Sequence, residues 1–188
     1  MSQAAGLPAA DSKRSNSTAG ASGAAAAAGI AEFISFAIGD DQYGVDIMAV
    51  REIKEWSNVT HLPKQPDYVR GVLNLRGVMV PIVDLRCRFG EGLTEITPTH
   101  IIIVVQIDER QVGLLADRVL DIVSFGKNEI QQVPRASQGV AGDFLSGLVT
   151  HDNTMIALID LPDLLAAKVE DKNLTAFEPN SITAVQGR

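Results

Sequence analysis

The chain has 188 residues, 46% of them hydrophobic and only 5% aromatic, and carries a formal net charge of −7. That acidic balance repels a nucleic-acid backbone or an anionic lipid surface, and the shortage of aromatics removes the stacking platforms that hold single strands, so nucleic acid is not expected as a partner. A single cysteine, Cys87, excludes an internal disulfide, and no apolar run is long enough for a membrane helix, so the chain is expected in the cytoplasm without direct membrane insertion.

Residues 1–31 are mostly Ala, Ser, Gly and small polar types without periodic large apolar positions, and are expected to form a flexible tail. Lys13 and Arg14 ahead of the alanines mimic a signal peptide only faintly, because glycines and serines interrupt the run. A helix over Ala24 to Ala28 is favoured by propensity but too short to persist alone. From Phe33 onward, short β-type runs are separated by turn signals, which favours a sandwich or barrel over βαβ units. Phe33 to Ile38 reads as a strand, Gly39-Asp40-Asp41 as a turn and Tyr43 to Asp46 as its partner. Ile47 to Glu55 reads as one helical turn running into a strand, followed by a loop with Pro63 and Pro66. Val69 to Asp84 is a β-hairpin whose Asn74-Leu75-Arg76-Gly77 corner holds an arginine at the tip.

The order then repeats, with a strand over His100 to Ile107, a turn at Asp108-Glu109-Arg110 and a partner strand over Gln111 to Leu115. Aligning Gly44 with Gly113 places Phe33, Phe36, Ile38, Val50 and Ile53 over Ile102, Val105, Ile107, Val119 and Ile122, apolar on apolar throughout. The first hairpin recurs without a gap from Gly147 to Leu161, matching Gly71 to Gly147, Met79 to Met155, Asp84 to Asp160 and Leu85 to Leu161. These matches define repeat units of about 32–90 and 98–162, the second with a longer insert from Gly126 to Phe144. Asp160 followed by Leu161-Pro162 starts a helix expected to close one end of a barrel, and residues 167–188 are expected to be loosely ordered.

The chain has no phosphate-binding loop and no nucleophile elbow, and its three histidines, His61, His100 and His151, stand singly, so neither a metal nor a cofactor is expected. Asp84 and Asp160 could act as an acid–base pair, but each ends a strand and precedes a Leu, where a carboxylate caps the following turn. Cys87 reads as a small hydrophobe. Arg76 is suited to bidentate contact with a carboxylate, against the plainer role of a soluble turn residue, and Glu52 is its possible partner.

Together these segments resemble the CheW family, the coupling proteins of bacterial chemotaxis. The match rests on Glu32 to Ile47, with its Tyr43-Gly44-Val45-Asp46-Ile47 string, on Val50-Arg51-Glu52-Ile53 and on Gly71 to Arg86, and covers about residues 32–166. The resemblance implies a mainly all-β fold of two intertwined five-stranded SH3-like barrels with short helices, and no catalysis. It implies binding to the regulatory domain of the histidine kinase CheA and to the cytoplasmic tip of chemoreceptors, at arrays near the inner membrane. By the same analogy Val50, Glu52, Gly71, Asn74, Arg76 and Gly77 fall at partner-binding positions, with Ile101 near the groove between barrels that receives the receptor. A family member serving an array for surface motility or development is the alternative, and a small-barrel enzyme using Asp84 and Asp160 a remote one.

Overall fold

The computed structural model describes residues 29–134 and 140–166. The expectations for residues 1–28, including the Ala24 to Ala28 helix, and for residues 167–188 lie outside the described residues. The elements are β1 (Ile30–Ile38), β2 (Asp41–Asp46), a 3-10 turn (Ile47–Ala49), β3 (Val50–Glu55), β4 (Val69–Leu75), β5 (Val78–Asp84) and the short helix α1 (Leu85–Arg88). They continue with β6 (Ile101–Ile107), β7 (Arg110–Ala116), β8 (Arg118–Gly126), a second 3-10 turn (Val140–Phe144), β9 (Leu145–His151), β10 (Thr154–Ile159) and α2 (Leu161–Leu165). β1 opens at Ile30, two residues inside the stretch assigned to the tail, because Ile30 and Ala31 pair with Gly126 and Phe125 of β8.

The strands form two five-stranded sheets, ordered β8-β1-β2-β10-β9 (sheet A) and β3-β6-β7-β5-β4 (sheet B). Neither sheet is one sequence repeat. Sheet A combines β1 and β2 of the first repeat with β8, β9 and β10 of the second, and sheet B is the reciprocal mixture. The crossed contacts are the parallel pairs β2–β10 and β5–β7, where Gly44 faces Leu158 and Gly113 faces Ile82. A Cβ on Gly44 would lie 2.9 Å from the Leu158 side chain, and one on Gly113 would lie 2.5 Å from that of Ile82. Each glycine therefore lets the hairpin of the other repeat seat against it. No ladder joins β3 to β4 or β8 to β9, so the sheets curl without closing into full barrels.

The inner strands of each sheet are buried on both faces, which explains apolar runs such as Ile101 to Val105 that do not alternate with polar residues. Ile103, Val105 and Leu114 of sheet B meet Ile34, Phe36 and Val45 of sheet A in the central core. Ile82, Ile102, Val104 and Leu115 fill the concave side of sheet B, and Phe33, Val123, Ile156 and Leu158 fill that of sheet A. Asp117, between β7 and β8, adds a polar tie across the sheets. It accepts from Gly39 N–H (2.7 Å) and from Arg86 (3.0 Å), and lies 3.2 Å from His100 Nε2.

Both helix caps form as the sequence predicts. Asp84 Oδ1 accepts from Cys87 N–H at 3.2 Å and Asp160 Oδ1 from Asp163 N–H at 3.0 Å. Leu161 and Leu164 of α2 enter the central core.

Candidate functional site

The β4–β5 hairpin is tightly built. Arg76 (φ 54°) and Gly77 (φ 91°) occupy its two central turn positions, both left-handed, as a two-residue hairpin joining right-twisted strands requires. Asn74 Oδ1 accepts from Gly77 N–H at 2.8 Å and fixes the corner. The arginine side chain is therefore 89% exposed on a stiff support, and its Nη2 reaches Glu52 Oε2 at 3.3 Å. Sequence reasoning paired these two residues, and the structure brings them together.

Glu52 reaches that place through a bulge in β3. Val50 pairs with Val105 and Glu52 with Val104, leaving Arg51 as the extra residue. Val50 shares the inter-sheet face of Val105, half-buried against the central core, whereas Glu52 shares the concave face of Val104 and looks toward the hairpin tip.

Gly71 is required by the chain's own backbone. It is buried at φ 141°, and a Cβ there would sit 2.4 Å from the Thr60 carbonyl oxygen. Thr60 and Val72 exchange backbone hydrogen bonds of 2.8 Å, so the backbone that approaches Gly71 is the chain's own. Gly71 thus holds the 56–68 loop onto the hairpin.

Ile101 opens β6 and packs partly buried against the central core. Ile53 and Ile122 pair with Ile103 and Ile34, so both lie on the inter-sheet face, yet they are 41% and 56% exposed. The sequence matched them as apolar equivalents, but period and hydropathy do not distinguish a covered position from an uncovered one. Val50, Ile53, Ile101 and Ile122 thus supply apolar surface between the sheets, while Glu52, Asn74, Arg76 and Gly77 form a polar corner on sheet B.

Asp84 and His100 have structural partners. Asp84, wholly buried, accepts from Thr94 N–H (2.9 Å) and the Thr94 hydroxyl (2.7 Å), and Arg70 lies 3.7 Å away. His100 Nδ1 accepts from Thr97 N–H at 3.0 Å, which places its ring proton on Nε2 toward Asp117. The Cys87 thiol is pushed up by burial, then by Asp84 and Asp67, which disfavours the thiolate. No cluster of three metal-ligating side chains occurs among the described residues, and no helix there is long and apolar enough to cross a membrane.

Comparison with known proteins agrees with the fold. A CheW-like domain profile matches residues 32–169. Similar proteins include the chemotaxis protein CheW of Rhizobium meliloti, 41% identical over 137 residues that make up 73% of this chain and 88% of the relative. The probable chemotaxis protein CheW of Rhizobium etli is 42% identical over 135 residues, 72% of this chain and 87% of that one. Among solved structures, the scaffolding protein TtCheW of Thermoanaerobacter tengcongensis superposes with a TM-score of 0.68 at 30% identity, covering 77% of this chain and 92% of its own.

Proposed function

The chain belongs to the CheW-like family, and from that premise we propose that it is a non-catalytic chemotaxis adaptor joining the cytoplasmic tip of chemoreceptors to the regulatory domain of the histidine kinase CheA. It works at receptor arrays on the cytoplasmic side of the inner membrane. The observation that carries this reading is the corner formed by Glu52 and Arg76, a charged pair with one member 89% exposed on a rigid turn. An exposed pair of this kind contributes only about 0–1 kcal/mol to stability, so its use lies in presenting a fixed arrangement of charge to a partner.

In this reading the sheet B corner, with Asn74, Arg76, Gly77 and Glu52, docks on the kinase domain, and the apolar inter-sheet surface with Val50 and Ile101 takes the receptor tip as a helix in a groove. Gly71 acts by holding the loop behind the hairpin. Asp84 is held by its cap and by Thr94, which fits a scaffold better than an acid–base catalyst.

A calorimetric titration into the isolated CheA regulatory domain, with Arg76→Ala beside the parent chain, tests the proposal. Saturable binding that weakens in the folded variant is expected. Absence of any heat of binding with the parent chain overturns the kinase-coupling reading.

A further inference from the structure

The bulge at Arg51 has a consequence for the Glu52–Arg76 corner. In a regular strand Glu52 would follow Val50 onto the inter-sheet face, because side chains two apart share a face. The extra residue resets the alternation and turns Glu52 to the concave side. What pins the bulge is visible in the side chains. Arg51 Nε donates to Gln106 Oε1 at 2.9 Å, and Gln106 Nε2 donates to the Asp108 carbonyl at 2.8 Å. Gln106 sits near the end of β6, opposite Gln111, so the brace ties the bulged residue to the β6–β7 turn.

The equivalent bulge in sheet A is held by other means. There Leu120 is the extra residue between Val119 and Asp121, and the Ser35 hydroxyl bonds both the carbonyl (2.9 Å) and the N–H (3.0 Å) of Asp121. Val104 stands where Ser35 would have to be, opposite Glu52, and has no hydroxyl to offer. Sheet B therefore relies on a side-chain brace where sheet A uses a serine plug.

We infer that Arg51 and Gln106 are positioning residues for partner binding: the brace keeps β3 bulged and so keeps Glu52 on the face where it meets Arg76. The inference rests on the binding site proposed above, and its own mechanism is internal to the free protein.

Two readouts separate the failure of this inference from the failure of that site. In the free chain, NMR cross-strand contacts between Glu52 and Val104 weaken in Arg51→Ala and Gln106→Leu and persist in Gln106→Glu, which keeps the acceptor. Unchanged contacts in both disruptive variants overturn the inference whether or not any partner binds. In titrations with the CheA regulatory domain, Arg51→Ala weakens binding by about 3–10-fold, the loss expected when one side chain must be ordered on association. Arg51→Ala combined with Glu52→Ala binds no more weakly than Glu52→Ala alone, because Arg51 acts through Glu52. Multiplicative losses in the double variant identify Arg51 as a direct contact and overturn the positioning role.

Discussion

Sheet A and sheet B carry the same backbone irregularities and different side chains. β3 bulges at Arg51 as β8 bulges at Leu120, and β4 skips Arg70 as β9 skips Ser146. Thr60 bridges Val72 as Gln131 bridges Leu148. At the hairpin tips, however, Arg76 of sheet B reaches Glu52, whereas Asp152 and Asn153 occupy the tip in sheet A and Asp121 holds the position equivalent to Glu52. Sheet B carries an ion pair from its tip to β3, whereas the tip acid of sheet A, Asp152, lies 3.6 Å from its own neighbour His151. The bulges and the bridges recur in both sheets although different side chains hold them, and the exposed tips are left to diverge, which is where an adaptor carries its specificity.

Substitution at the two caps gives the largest expected contrast. Asp84→Ala removes a wholly buried carboxylate and leaves Thr94 and the Cys87 N–H unpartnered, a loss of roughly 3–5 kcal/mol by analogy with broken buried pairs. Asp160→Ala removes one cap hydrogen bond, at about 1 kcal/mol. Urea unfolding measures both, and equal losses would break the asymmetry.

The paired glycines come next. Gly71→Ala forces a side chain against the fixed Thr60 carbonyl at φ 141°, for about 2–4 kcal/mol. A Cβ at Gly147 meets chiefly the Ile130 side chain, 2.5 Å away but able to shift, and the Gln131 carbonyl at 3.0 Å, so about 1–2 kcal/mol is expected. Thermal melts of the two variants rank them.

Titration separates the repeats in a third way, because Tyr43 and its repeat equivalent Val112 both lie in the central core and only one of them ionises. Burial, with Asp41 and Glu91 adding to it, pushes the Tyr43 phenol from 10.0 up to about 12. The folded chain holds this proton more tightly than the unfolded chain, so the stabilisation is complete below pH 10 and is lost as pH rises toward 12, up to about 2–3 kcal/mol. Denaturant midpoints across that window fall less steeply in Tyr43→Phe, and an unchanged slope would remove Tyr43 as the cause.

The smallest effect belongs to the hairpin tip, where Arg76→Ala changes stability by about 0–1 kcal/mol while weakening binding to the kinase domain. A large loss of stability would recast Arg76 as structural.

Much of this was legible along the chain. The hairpin, its tip arginine, the helical turn before β3 and both aspartate caps follow from local chemistry: left-handed turn positions, N-cap oxygens and apolar runs act over a few residues. The Glu52–Arg76 pair was also within reach, since an arginine displayed at a turn and a nearby strand carboxylate carry opposite charges. The brace at Arg51 and Gln106 was not, because it joins two polar side chains 55 residues apart that no local pattern links. The backbone that crowds Gly71 was out of reach as well, since only the folded chain shows the Thr60 carbonyl beneath it.

The sequence by itself determined the duplication, the strands, the turns and the caps, because each depends on neighbours a few positions apart. Only the tertiary structure decided which hairpin joins which sheet, that the inner strands are buried on both faces, and that Ile53 and Ile122 stay exposed on the face their neighbours bury. The two hairpins share one period-two pattern, so the choice rests on long-range packing such as Gly44 against Leu158 and Gly113 against Ile82, contacts between residues far apart along the chain.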